Sequence, residues 1–367
     1  MEYKTCTRCV MNNKSDKTIT FDEVGRCNYC THALAEINTT TYFPNEIGEK
    51  KLKELIGRLK EEGKGKDYDC MMGISGGLDS AYLAYLGYTW GLRILAVHID
   101  DGFDTEISKK NIQRLVDKTG IKMLTISPDS EQYCDLTRAF IKAGVPNIAI
   151  PQDNILFAFL YATAKTYKIE SFLSGGNFAL ECILQTGNTH SAYDLVNIKD
   201  IHKKFGKKPI NKLKFTTSIK KELERRFLGL KTLRPLNFID YNRDRAFKEL
   251  NDFCGFEYYG SKHLENMLTA FAQLYWMPKK FGVDKRTSHL SSMIVSGQMT
   301  REQALNILQQ PIADEKLLSN YVDIVLDKLH ISKDEFENIM KEEPKQHEFY
   351  RVEKLAPILF KIRDLLK

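Results

Sequence analysis

Apolar runs and polar breaks alternate along this chain. Met71-Met72-Gly73-Ile74 rises out of the charged stretch Lys64-Gly65-Lys66-Asp67 and stops at Ser75-Gly76-Gly77. Ala81-Tyr82-Leu83-Ala84-Tyr85-Leu86 follows, rich in helix formers. The pattern predicts a buried strand, a glycine turn and a helix running to about Gly87. Residues 92–100, 122–126 and 171–174 are further short apolar runs, read as strands two to four. Helical spacing separates them. Residues 49–62 put Leu52, Leu55, Ile56 and Leu59 on one face, and 111–119 and 154–167 read as helices. Apolar strands separated by helices predict a parallel sheet covered on both faces, so residues 67–177 read as a doubly wound α/β unit. Residues 38–48 look like a linker. From Thr300 the chain is helical, with capping boxes at Thr300-Arg301-Glu302-Gln303 and Ser332-Lys333-Asp334-Glu335. There is no internal repeat and no low-complexity tract.

The turn after strand one carries the chemistry. A strand, a glycine turn and a helix start aim unpaired backbone N–H groups and the positive end of a helix at one point, which suits phosphate. The loop is not a Walker loop, because Asp79 stands where that motif needs lysine. Nor does Gly73-Ile74-Ser75-Gly76 give the dinucleotide pattern G-x-G-x-x-G. A carboxylate inside a phosphate nest repels the ligand unless a divalent cation bridges the two. The residues therefore point to a nucleotide triphosphate with Mg2+, to hydroxyl donors at Ser75 and Ser80, and to close backbone approach at Gly76 and Gly77.

In doubly wound sheets, ligands sit outside the carboxyl ends of the strands. Strand two ends in His98-Ile99-Asp100-Asp101-Gly102, and strand four in Ser174-Gly175-Gly176-Asn177 with Glu181 just beyond. His98, Asp100 and Gly175 are thus candidates to line the nucleotide site. No general base is assigned to His98, since a histidine within a strand is commonly a satisfied core residue.

Four of the eight cysteines fall in the first 30 residues, as Cys6-Thr7-Arg8-Cys9 and Cys27-Asn28-Tyr29-Cys30. Two C-x2-C pairs 17 residues apart have the spacing of a structural, four-thiolate zinc site. His32 lies close enough to replace one ligand. The beginning of the chain lacks an apolar signal segment, and no apolar run is long enough to span a bilayer. The expectation is a cytoplasmic protein with reduced thiols and no membrane contact.

Charge is unevenly spread. Residues 199–234 hold 13 Lys/Arg against 3 Asp/Glu, an excess of 10 when the whole chain carries +6, so the remainder is mildly acidic. The segment reads as a basic insertion. Such runs are usually solvated faces, although they can also attract an anionic partner. Aromatics for base stacking are sparse there, so nucleic acid is an unlikely ligand.

Ser75-Gly76-Gly77-Leu78-Asp79-Ser80 resembles the S-G-G-x-D-S signature of the PP-loop ATP pyrophosphatases. Within them, residues 1–310 resemble the N-acetyl sugar amidotransferases of bacterial surface-polysaccharide and flagellin-glycan pathways, including those of pseudaminic- and legionaminic-acid-type sugars. The likeness rests on several stretches: Thr7-Arg8-Cys9-Val10-Met11; His98 to Phe103; Pro278-Lys279-Lys280-Phe281-Gly282-Val283-Asp284-Lys285-Arg286; and His289-Leu290-Ser291-Ser292. That family often has an Asn-Gly-Trp-type tip after strand two, where this chain has Asp101-Gly102-Phe103.

The resemblance implies a PP-loop (HUP-like) doubly wound sheet with an N-terminal zinc ribbon (1–45), a catalytic domain (46–310) and a helical tail (311–367). It implies adenylation of an acetamido oxygen, then displacement of AMP by ammonia. Asp79 and Glu181 would hold Mg2+. Lys262, Lys279, Lys280 and Arg286 would neutralise the transferring phosphoryl group. The chain has Glu2 where an N-terminal-nucleophile glutaminase needs cysteine, and it shows no Cys-His-Glu glutaminase pattern. A separate glutaminase subunit is therefore the expected ammonia source. Two other readings stand beside this one. The first is a tRNA sulfurtransferase, disfavoured by Leu78 and by the unpaired spacing of Cys70, Cys134, Cys182 and Cys254. The second is a zinc-ribbon nucleic-acid-binding protein.

Overall fold

The computed structural model describes residues 2–227, 229–260, 264–356 and 358. Helix α1 (Asn28–Glu36) belongs to the cysteine-rich N-terminus, and α2 (Glu46–Glu62) follows it. The central sheet has β1 (Cys70–Gly73), β2 (Ile94–Ile99), β3 (Lys122–Ile126), β4 (Ser171–Leu173) and β5 (Lys231–Leu233). Its order is β3-β2-β1-β4-β5, and every pairing is parallel. Helices α3 (Leu78–Thr89), α4 (Glu106–Thr119), α5 (Ser130–Ala143) and α6 (Ile150–Thr166) connect the first four strands, and the short α7 (Phe178–Glu181) follows β4.

The alternation of the strands explains the two layers. Met72, Ile94 and Ala96 pack with Leu55, Leu59, Leu83, Ile112 and Leu115, on the side of α2, α3 and α4. Met71, Leu95 and Val97 point the other way, onto Leu160 and Ala164 of α6. This is the doubly wound arrangement expected of near-continuous apolar strands. Its strand order reverses between β1 and β4. The crevice at their carboxyl ends is the switch point where such sheets bind ligands.

Helices α2, α4 and α6 begin earlier than periodicity predicts, and side-chain caps start the first two. The Asn45 side chain accepts from Ile47 and Gly48 N–H and starts α2 inside the expected linker, while Thr105 caps α4 six residues ahead of 111. Caps are side-chain choices that a search for apolar faces overlooks.

The basic segment is built into the fold. Helices α8 (Leu195–Phe205) and α9 (Ser218–Phe227) run through it, and it ends in β5, which pairs with β4 along Phe172↔Thr232 and Leu173↔Leu233. Much of its charge is matched. Lys208 meets Glu131, Lys212 meets Asp129, Lys231 meets Glu62, and Arg225 and Arg226 share Glu222.

Helix α10 (Arg243–Cys254) packs on α3. Then come α11 (Met267–Phe271), a π-helical turn (Ala272–Trp276), α12 (Met277–Phe281), α13 (Arg286–Val295), α14 (Arg301–Gln309), α15 (Glu315–Lys328) and α16 (Lys333–Lys341). The Thr300 capping box is present in full, and Ser332 accepts from Glu335 N–H. The tail is no loose appendage: Val325, Phe336 and Tyr350 share a second core with Leu136 and Phe140 of α5 and Trp276. Among the described residues, no helix is long and apolar enough to cross a membrane.

Candidate active site

The Ser75–Ser80 loop leaves β1 at the switch point and becomes α3 with Gly77 at its N-cap. Gly76 has φ +78°, and a Cβ there would lie 2.7 Å from the Ser108 backbone oxygen, so glycine is required twice over. A Cβ on Gly77 would lie 2.5 Å from Glu265 Oε1. The two serines lace the turn. Gly77 N–H donates to Ser75 Oγ (3.2 Å), Ser75 N–H to Ser80 Oγ (3.3 Å), and Ser80 Oγ–H to the Gly77 carbonyl (3.1 Å). The β4 tip comes close: a Cβ on Gly175 would lie 3.0 Å from Ser80 N. A cavity of about 160 Å³ results, lined by Ser75, Gly77, Asp79, Ser80, Gly175, Gly176, Glu181, Tyr259 and Glu265.

A larger cavity of about 320 Å³ adjoins it, sharing Ser75, Gly175 and Glu265. Its walls include Val97, Ile99, Leu156, Phe157, Leu160 and Phe172, and its polar rim includes His98, Asp101, Asp104 and Gln152. Apolar walls with few polar groups suit a flat ring system. Buried His98 sits between two acceptors, with Nδ1 2.8 Å from the Ile74 carbonyl and Nε2 3.0 Å from Asp104 Oδ2. Burial disfavours the charged ring, but Asp104 and the Ile74 carbonyl outweigh it and hold the His98 pKa above its usual value. Asp101 is buried, and burial raises its pKa despite bonds from Phe103 N–H, Gln152 and Tyr133.

Of the expected site residues, Ser75, Gly77, Asp79, Ser80, Gly175 and Glu181 line the loop cavity, Gly76 forms its turn, and His98 lines the larger one. Asp100 does not face it: its Oδ1 accepts from Gly102 N–H within its own turn, while Asp101 and Asp104 line the cavity. Lys280 is buried away from the loop, its Nζ donating to the Ile339 and Glu342 carbonyls at 2.6 and 2.7 Å at the end of α16. Arg286 is committed too. It pairs with Asp284 and donates to the Ile307, Gln310 and Pro311 carbonyls. Lys279 is exposed on α12 and lines neither cavity. Lys262 lies outside the described residues. In each corrected case a basic side chain caps a helix end or meets solvent, which a basic motif alone does not distinguish from phosphate binding.

The loop also has partners that local sequence did not reveal. Tyr241 donates its hydroxyl to Asp79 Oδ1, Leu78 N–H donates to Tyr259 Oη (2.7 Å), and Ser75 Oγ–H donates to Glu265 (3.3 Å). Burial and the neighbouring Asp79 carboxylate raise the Tyr241 pKa far above the usual phenol value, and burial with Glu265 does the same for Tyr259. No local pattern in the sequence marks these partners.

The four N-terminal thiols gather at one buried point, all within 4.8 Å of one another. Cys6–Cys30 and Cys9–Cys27 sulfur separations are 4.0 and 3.8 Å. Zinc–sulfur bonds of about 2.3 Å give a tetrahedron with edges of about 3.8 Å, so the cluster fits a zinc ion. Backbone N–H groups of Arg8, Cys9 and Met11 point at the sulfurs, as thiolates require. His32 is not a ligand; it is exposed and faces Glu36. The Pro278–Ser292 motif is largely a joint. Ser291 Oγ accepts from Val10 N–H, Ser292 Oγ accepts from Ile183 N–H just beyond α7, and Arg301 holds the Cys6 and Cys9 carbonyls.

Residues 265–363 match the family described as LPS biosynthesis protein WbpG-like, C-terminal domain. A search of curated proteins finds no match. Among solved structures, an NMN synthetase from Francisella tularensis aligns at 15% identity and TM-score 0.36, covering 78% of this chain and 97% of that one. The NH3-dependent NAD synthetase from Campylobacter jejuni subsp. jejuni, in complex with nitrate, aligns at 17% identity and TM-score 0.31, covering 56% and 83%. An NAD+ synthetase from Burkholderia pseudomallei gives 13% and 0.30, covering 64% and 95%. Likenesses at such TM-scores add nothing to the functional reading.

Proposed function

We propose that this chain is an ATP-dependent, AMP-forming amidotransferase of bacterial surface-glycan synthesis, acting in the cytoplasm on an acetamido sugar. The observation that carries this is the Ser75–Ser80 loop at the switch point, with Asp79 inside the phosphate cradle and the β4 tip packed against it. The match of residues 265–363 to an LPS-biosynthesis family supports the glycan setting.

An amide carbon is a poor electrophile and its oxygen a poor leaving group. Attack of the acetamido oxygen on the α-phosphorus of ATP forms the O–P bond and releases pyrophosphate, which remedies both. Ammonia then adds to the activated carbon, a proton is lost, and AMP departs with the former amide oxygen, leaving an acetamidino group. In this reading, the loop N–H groups and the Ser75 and Ser80 hydroxyls take the departing phosphates, and the adjoining apolar cavity takes the adenosine. Among the described residues, only the four cysteines gather within reach of one ion, so Mg2+ has no all-protein cage. Carboxylates at Asp79 and Glu181 beside a phosphate cradle suit Mg2+ shared with phosphate, where it would offset developing negative charge. Lys262 remains a candidate cation for the transferring group. A separate glutaminase would supply the ammonia. The extensive pairing of the basic segment weighs against nucleic acid as its partner.

The test is incubation with ATP, Mg2+, high ammonium and a panel of acetamido sugars. AMP should form together with a product about one mass unit lighter than its sugar. Failure across the panel with sulfide-dependent AMP release on tRNA would overturn the proposal.

A further inference from the structure

Asp79 is the odd residue of the loop, an anion placed where an anion must bind. Its usefulness depends on where its oxygens point. Tyr241 sets one of them: its side chain is fully buried and its hydroxyl donates to Asp79 Oδ1. The ring is wedged by Tyr82, at 5.8 Å between centroids.

The segment that carries Tyr241 is itself braced. It leaves β5 at Leu233, whose carbonyl accepts from Ser174 N–H at the β4 tip (2.8 Å). It then makes a 3-10 turn (Pro235–Phe238). In that turn, buried Asn237 accepts the Phe178 N–H that opens α7, the helix ending in Glu181 (2.7 Å). Four residues on, Tyr241 meets Asp79. One short strap after the edge strand thus fixes two of the three acidic residues that line the loop cavity, Asp79 through its side chain and Glu181 through its helix. This also gives the basic segment a purpose: it delivers β5 and the strap.

On the reading proposed above, we infer that Tyr241 is a positioning residue that orients the Asp79 carboxylate toward the divalent cation accompanying ATP. A hydrogen bond to a charged partner commonly changes affinity by about tenfold or more. Tyr241→Phe keeps the ring and its packing but removes the donor. The probe is Mn2+, titrated by electron paramagnetic resonance into the protein saturated with an ATP analogue that has a methylene between its α and β phosphorus atoms. Tyr241→Phe should weaken Mn2+ binding about tenfold, and 3-fluorotyrosine at position 241, which keeps the hydroxyl, should restore it. Tyr82→Phe removes a neighbouring buried hydroxyl, which bonds Glu249 at 2.8 Å away from the loop, and should leave Mn2+ affinity unchanged. Mn2+ affinity in Tyr241→Phe within about twofold of wild type would overturn the inference alone. Equal weakening in Tyr82→Phe would overturn it too, by showing a general packing effect. Absence of Mn2+–analogue binding to wild type would overturn the nucleotide reading, and the inference with it.

Discussion

Gly175→Ala tests whether the loop depends on the β4 tip lying hard against it. The added methyl would lie 3.0 Å from Ser80 N and 3.1 Å from both Asp79 C and Ser80 Cα. All three are backbone atoms at the start of α3, and none can rotate away. Ordinary contact needs about 3.4 Å or more, so the tip and the loop must separate by a few tenths of an ångström. Overpacking of this kind costs about 1–3 kcal/mol of stability. Turnover should fall as well, by up to about a hundredfold, the cost of misplacing by about 1 Å a group that positions a reaction. The assay is AMP release under saturating ATP, with melting temperature measured in parallel. Gly57→Ala is the control: it sits in α2 with nothing within 4 Å of its would-be Cβ, and should stabilise by about 0.5–1 kcal/mol without touching activity. Gly175→Ala with wild-type turnover and an unchanged melting temperature would refute the close-approach argument.

Cys27→Ser should lower bound zinc well below one ion per chain and lower the melting temperature, because Ser291 and Arg301 couple the cysteine knuckle to α13 and α14; metal analysis and calorimetry check both. Lys280→Met should cost stability by leaving the Ile339 and Glu342 carbonyls unpaired, while kcat and the KM for ATP stay near wild type; a collapse of kcat in a folded variant would restore Lys280 to the site. Buried His347 has its pKa lowered to about 3 by desolvation and then by His190. Because the folded state holds it neutral, its contribution to stability is present above an unfolded pKa of about 6.5 and is lost as pH falls toward 3. Acid melting curves of His347→Gln should therefore fall less steeply than wild type below about pH 6.5. Equal slopes would contradict the assignment.

The loop was legible in the chain because its ingredients are contiguous. The apolar run, two glycines and helix formers meet within about one helical turn, and Gly76 adopts the positive φ that such a turn needs. The four-strand parallel sheet and the zinc-type spacing were legible for the same local reason. Strand β5 was not, since three residues, Lys-Thr-Leu, inside a basic run carry no apolar signature; pairing with β4 alone makes them a strand. Tyr241, Tyr259 and Glu265 reach the loop from more than 160 residues away, beyond any spacing argument. Lys280 and Arg286 were misread for a related reason. A basic cluster looks the same in sequence whether it meets phosphate or the carbonyl end of a helix, and here it meets carbonyls.

Attack of the acetamido oxygen on the α-phosphorus of ATP, proposed for the crevice between β1 and β4, carries an oxygen atom from the sugar to the nucleotide. It is tested most directly by isotope transfer. An acetamido sugar carrying 18O in its amide carbonyl is incubated with the protein, ATP, Mg2+ and ammonium, and the nucleotide product is examined by mass spectrometry and 31P resonance. The proposed reaction yields AMP bearing the label on phosphorus, with unlabelled pyrophosphate. Unlabelled AMP, or ADP in its place, would contradict it.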